Sequence, residues 1–198
     1  MKTHTQVLVI GGGVVGCSVL YHLTKYGWSD VMLVERSELT SGSTWHAAGG
    51  FHTLNGDTNM AALQGYTIQL YKELEKITGM SCGLHHVGGI TLADNQARFE
   101  MLVAERAKHR YMGPRTEILT PKEIAERTDG LVNTDGIIGG LYDPLDGHLD
   151  PSGTTHAYAR AARMGGAEIV LHNRVLETNP RADGGWDVVT EHGTIHAE

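Results

Sequence analysis

The chain has 198 residues, 40% hydrophobic and 20% charged, with a formal net charge of −7. Those values suit a folded globular protein and exclude the basic stripe that a nucleic-acid partner needs. Two cysteines, Cys17 and Cys82, are too few for a disulfide framework and match no zinc spacing, which favours a reducing compartment.

QVLVI (6–10) reads as a short buried strand bounded by glycines, and Val14 to Tyr26 as a helix ended by Gly27. DVMLVE (30–35) is a second such strand, and strand–helix–strand in this order predicts a βαβ unit with parallel strands. Residues 36–58 form a long polar, glycine-rich loop, a length that usually signals function. A helix is predicted over 59–78, with Leu63, Tyr66, Leu70, Leu74 and Ile77 on one face. A strand follows at 88–93, then a helix over 96–112 with Phe99, Leu102, Val103 and Arg106 on one face. Thr120-Pro121-Lys122-Glu123 has the pattern of a capping box.

GIIGGLYD (136–143) predicts another strand, Asp150-Pro151 opens a helix through Arg163, and AEIVL (167–171) is a third buried strand. RVLETN, WDVVTE and TIHAE then form a meander, turning at 181–185 and at His192-Gly193. The chain stops on strand residues, so an exposed edge and a truncated domain are expected. Apolar runs such as VLVI and VMLV are far too short to span a membrane, and MKTHTQ leads straight into a strand. A bacterial-type cytoplasmic protein is the expectation, or a mitochondrial matrix one if a eukaryotic leader has been removed.

Gly11-Gly12-Gly13-Val14-Val15-Gly16 satisfies G-x-G-x-x-G between a predicted strand and a predicted helix, and Glu35 ends the next strand. That context is what gives the pattern its force. Gly11 permits the tight turn, Gly13 lets the backbone approach a pyrophosphate, and Gly16 lets the helix pack close. Glu35 suits ribose hydroxyls and disfavours a 2′-phosphate. NAD and FAD both remain open at this point. The hydroxyls of Ser41, Ser43 and Thr44 beside Gly42 favour the longer FAD.

The segments VLVIGGGVVGCSVLYHL, VMLVERSELTSGSTWHAAG and LYDPLDGHLDPSGTTHAYARAA resemble the D-amino-acid-oxidase-like flavoproteins, most narrowly the dimethylglycine and sarcosine dehydrogenases. The resemblance covers essentially the whole chain. It implies an α/β (α+β mixed) fold, with a Rossmann-like FAD-binding domain at 1–58 and 146–198 interleaved with part of a substrate domain at 59–145. That substrate domain carries a large mixed sheet. It further implies that His46, in Trp-His-Ala-Ala-Gly, carries the flavin covalently at its 8α-methyl. Val14 and Val15, Glu35 with Arg36, and the loop Gly42, Ser43, Thr44, Trp45, His46, Ala47, Ala48, Gly49 and Gly50 map to flavin contacts. Val175 maps to the position whose backbone meets the adenine.

The implied activity is hydride removal from a carbon of a small N-methylated amine to flavin N5. The resulting iminium yields formaldehyde, or methylene-tetrahydrofolate in a full-length parent, and electrons pass to an electron-transferring flavoprotein. An oxygen-using amine oxidase and a catalytically silent FAD-binding fragment are the alternatives. No catalytic residue is assigned, since substrate-contacting groups are expected beyond Glu198. The histidines show no metal-binding spacing: His85-His86 would point apart on a strand, and His148 and His156 lie too far apart. Asp143, Asp146, His148 and Asp150 fit no EF-hand, and Asp150 is expected to cap the helix at Pro151. No nucleophile elbow surrounds Ser18, and Cys17 is expected to pack.

Overall fold

The structure is a computed structural model and describes residues 1–53, 55–112, 115–182 and 184–198. Leu54, in the predicted 36–58 loop, and Asp183, in the predicted 181–185 turn, lie outside the described residues.

In chain order the elements begin with β1 (His4–Thr5), β2 (Val7–Ile10), α1 (Val14–Lys25) and β3 (Val31–Val34), then a 3-10 turn (Ser43–His46) and β4 (Gly50–Phe51). α2 (Thr58–Thr78), β5 (Gly89–Ala93), α3 (Gln96–Met112), β6 (Glu117–Leu119) and α4 (Pro121–Arg127) follow. After them come β7 (Gly139–Asp143), β8 (Gly147–His148) and α5 (Pro151–Met164). The last strands are β9 (Glu168–Val170), β10 (Val175–Pro180), β11 (Trp186–Thr190) and β12 (Gly193–Ala197). The chain divides into two compact units, one of Met1–Gly49, Tyr71–Gly83 and Asp150–Glu198, the other of Gly50–Leu70 and Leu84–Leu149.

In the first unit the parallel order β2-β3-β9 realises the predicted βαβ start. β3 lies in the middle and all four of its residues are buried, which is why VMLV reads as a continuous apolar run. α1 buries Cys17, Leu20 and Tyr21, while α5 buries a row of small residues including Ala157, Ala161 and Ala162, so the two helices pack closely. A second sheet in this unit has the order β1-β12-β11-β10. Met32 and Val34 of β3 share a core cluster with Ile195 of β12, joining the two sheets.

That second sheet corrects the expected open edge. β12 pairs with β11 on one side and, in parallel, with β1 on the other, at His4↔His196 and Thr5↔Ala197. The missed strand has only two residues, and its partner lies near the opposite end of the sequence. No local pattern marks it.

The second unit holds an antiparallel sheet of order β5-β7-β6 and a two-stranded pair, β4-β8. The large mixed sheet implied by the resemblance is not formed by the described residues; these sheets have three and two strands. Ala93, Leu102 and Leu141 are its buried cluster, with Phe99 and Ile118 against it. The predicted face of α3 is right at Phe99 and Leu102 but not at Val103, which is 44% exposed. On α2, Leu70 and Leu74 are buried, whereas Leu63, Tyr66 and Ile77 are exposed. Helical spacing identifies an apolar row, not how far its covering extends. The Thr120 box forms as expected: its hydroxyl accepts from Glu123 N–H, and Glu123 accepts from Thr120 N–H.

Candidate functional site

The glycine turn after β2 is built by close approach. Gly11 has φ +107°, a conformation open to glycine, and its N–H donates to Val34 O at 2.8 Å. A side chain at Gly16 would place Cβ 2.0 Å from Gly11 O, so α1 leaves the turn with no room between them. At Gly13 a Cβ would meet Thr44 Oγ1 at 3.1 Å. Gly12, which the motif treats as a free position, is also constrained: a Cβ there would lie 2.6 Å from Leu39 Cδ2.

The loop after β3 is stitched onto this turn. Gly12 N–H donates to Glu35 Oε2 at 2.7 Å, and Thr40 N–H donates to Gly12 O at 3.0 Å. Val14 N–H, one of the donors left over at the start of α1, finds the buried hydroxyl of Thr44 at 3.0 Å. Thr44 thus serves as a helix cap supplied from 30 residues away in sequence. Val15 is 74% exposed at the same helix end.

Glu35 accepts from Ser37 N–H at 2.9 Å through its other oxygen, Oε1. Each carboxylate oxygen therefore spends one lone-pair direction on the backbone and retains capacity for a ligand hydroxyl. A cleft of ≈ 340 Å³ opens beside it, lined by Gly11, Glu35, Arg36, Asn173, Arg174 and Val175 among others. Val175 is the position that the resemblance maps to the adenine; Asn173 and Arg174, which immediately precede it, carry no such expectation.

His46 closes the 3-10 turn, whose first residues include Ser43 and Thr44 and whose N-cap is Gly42. Its Nδ1 lies 3.1 Å from Gly42 O. A carbonyl only accepts, so Nδ1 carries a proton in this contact, and the neutral ring of that tautomer has its lone pair on Nε2. Trp45 stacks obliquely on the imidazole with ring centroids 4.0 Å apart, and both rings are exposed. Ala47 and Ala48 are exposed, Gly49 has φ +75°, and Gly50 opens β4.

The remaining candidates resolve into structural roles. Cys17 is fully buried and burial pushes its thiol up to about 12, so it packs and does not react. Asp150 caps α5 through Ser152 N–H at 2.9 Å. His85 and His148 face each other across an isolated bridge, ring centroids 5.0 Å apart. Asp143 is fully buried and accepts from Thr53 Oγ1 and from Leu145 N–H. Asp146 accepts from Thr53 N–H and has the carboxylate of Asp143 as its neighbour.

Burial, then the hydrogen bond and charge of Asp143, raises Asp146 from 3.8 to about 7. The folded form holds a proton that the unfolded chain has already released. This contribution is fully present below 3.8 and is lost as pH rises through about 7. Asp146 is partly exposed, so solvent screening reduces the effect to on the order of 1–2 kcal/mol. Asp146→Asn, neutral throughout, should flatten this part of the stability profile, with urea midpoints at pH 4.5 and 8 as the measurement. An unchanged slope would show that Asp146 does not titrate in this range.

The family profile described as "FAD dependent oxidoreductase" (DAO) matches residues 6–198. The chain belongs to this family. It is 40% identical over 196 residues to dimethylglycine dehydrogenase of Rattus norvegicus, covering 99% of this chain and 23% of that protein. It is 39% identical over 201 residues to sarcosine dehydrogenase of Homo sapiens, covering 98% of this chain and 22% of that protein. L-proline dehydrogenase from P. horikoshii shares the fold, with a TM-score of 0.90 at 24% identity over 100% of this chain and 52% of that one. The chain thus spans about a quarter of the length of these curated relatives. Among the described residues no helix is long and apolar enough to cross a membrane, and no group of three His, Cys, Asp or Glu side chains is placed to hold a metal ion.

Proposed function

We propose that these residues are the cofactor-holding part of an FAD-dependent amine dehydrogenase of the dimethylglycine/sarcosine type. The observation that carries this reading is the fit of the glycine turn to a dinucleotide. Gly11 has the required left-handed backbone, Gly13 lacks a Cβ at the helix start, and Glu35 is held rigid beside an open cleft. On this reading Glu35 takes the ribose hydroxyls, the N-terminus of α1 faces the pyrophosphate, and Val175 lies against the adenine. The first unit is then the FAD-binding domain and the second belongs to the substrate domain.

His46 is assigned as the covalent tether, through Nε2. Gly42 O occupies the proton on Nδ1, which leaves Nε2 as the nucleophilic nitrogen. Bound flavin would supply a hydride acceptor for a carbon next to the amine nitrogen of a small N-methylated amine, whose iminium water then hydrolyses to formaldehyde and the demethylated amine, or tetrahydrofolate captures. An electron-transferring flavoprotein is the proposed acceptor. The contribution of this chain is to bind and orient the cofactor; proton-handling groups at the substrate are not assigned to it.

Two measurements test the proposal on the full-length protein. After acid precipitation the yellow colour should stay in the pellet, and His46→Ala should release it to the supernatant. Wild-type colour found wholly in the supernatant would remove the tether and leave FAD binding intact. Anaerobic addition of dimethylglycine or sarcosine should bleach the flavin; bleaching by neither, but by another amine, would overturn the substrate class.

A further inference from the structure

The turn between β9 and β10 carries a buried polar residue that the nucleotide motif does not call for. Asn173 is fully buried, and its backbone N–H donates to Glu35 O at 2.9 Å. Its side chain Oδ1 accepts from His192 N–H at 3.2 Å, in the turn between β11 and β12. Its Nδ2 lies 3.1 Å from Met1 Sδ. Asn173 therefore ties the end of β3 to the other sheet of the same unit, directly at the cleft.

The preceding residue adds a second hold. His172 has φ +54°, its N–H donates to Ser37 O at 3.3 Å, and its Nε2 lies 2.7 Å from Glu38 Oε1. Ser37 is also the residue whose N–H grips Glu35 Oε1. Glu35 is consequently fixed at both ends by one turn: at its carbonyl by Asn173, and at its carboxylate through Ser37, which His172 holds.

The geometry points to Asn173 as a positioning residue that sets the aim of the Glu35 carboxylate and so determines discrimination for a nucleotide with an intact ribose diol. This rests on the reading of the cleft as the adenosine end of an FAD site. A carboxylate reads a hydroxyl only when held within hydrogen-bond geometry, and hydrogen bonds to charged groups lose much of their strength when misaligned. In Asn173→Ala the backbone bond to Glu35 O remains and His192 N–H still has Thr190 Oγ1 at 3.3 Å, so what is lost is the side-chain tie that holds the Asn173 turn, and with it that N–H, against the other sheet.

The test uses full-length protein produced without flavin, with ADP and 2′-deoxy-ADP as probes and calorimetry as the readout. Wild type should prefer ADP by about ten- to hundredfold, the scale of a hydrogen bond to a charged acceptor. Asn173→Ala should reduce that preference to within about threefold, and should add nothing in a Glu35→Gln background. Asn173→Asp retains the acceptor for His192 and should retain most of the preference, which keeps the test decisive should the alanine variant misfold. A folded Asn173→Ala protein with undiminished preference overturns the positioning role, as does loss of preference in a folded Asp variant. If wild type binds neither probe, the reading of the cleft itself fails, a result distinct from either of these.

Discussion

A Gly16→Ala protein should be recovered largely unfolded and devoid of flavin. The added methyl would sit 2.0 Å from Gly11 O, which is backbone and has no rotamer to escape into. Gly11 is itself fixed, with φ +107° and its N–H bonded to Val34 O. Relief requires α1 to retreat from the sheet, which opens the packing around Cys17 and Leu20, both fully buried. Overpacking against backbone costs about 3 kcal/mol or more, a large part of a domain's stability. Gly13→Ala is the informative contrast. Its Cβ would meet only Thr44 Oγ1 at 3.1 Å, so folding should survive while phosphate approach suffers. Thermal melting together with the ratio of flavin to protein absorbance distinguishes the two; a Gly16→Ala protein that melts and loads like wild type would refute the packing account.

Glu35→Ala should reduce FAD affinity by at least about a hundredfold, measured in a His46→Ala background where the cofactor exchanges freely. Two effects add in the same direction. The ribose contacts proposed for the carboxylate disappear, and the N–H groups of Gly12 and Ser37 lose their acceptor. Charge-assisted bonds of this kind contribute about 1.5–3 kcal/mol each, so even partial replacement by water loosens the turn. Glu35→Gln should fall between: its amide oxygen can serve one of the two N–H groups, but its NH2 faces the other donor with nothing to accept. Equal affinity for all three proteins would mean that Glu35 shapes the turn without touching the ligand.

What the sequence disclosed and what it withheld divide along one physical line. Gly11 and Gly16 were legible because the demands on them are local or recur at fixed spacing: a turn and a helix start. The capping box at Thr120 was legible for the same reason. Gly12 was not, because Leu39 rather than the turn excludes its side chain. The hydroxyl of Thr44 could be read as a ligand contact but not as the cap of a helix 30 residues earlier. Asn173 looks like an ordinary loop residue until its partners at Glu35, His192 and Met1 are assembled. The exposed Leu63, Tyr66 and Ile77 show the converse error, where a clean period overstates the burial.

The parallel pairing of β1 with β12 bears on how the chain is made. His4 must wait for His196, so the sheet that braces the first unit cannot close until nearly all of the described chain has left the ribosome. Most of the second unit, by contrast, is contiguous within Leu84–Leu149 and can collapse on itself much earlier. During synthesis the glycine turn, although emitted first, stays without its bracing sheet the longest. Obstruction of residues 4 and 5 would therefore be felt at β12, as slow maturation and prolonged dependence on chaperones.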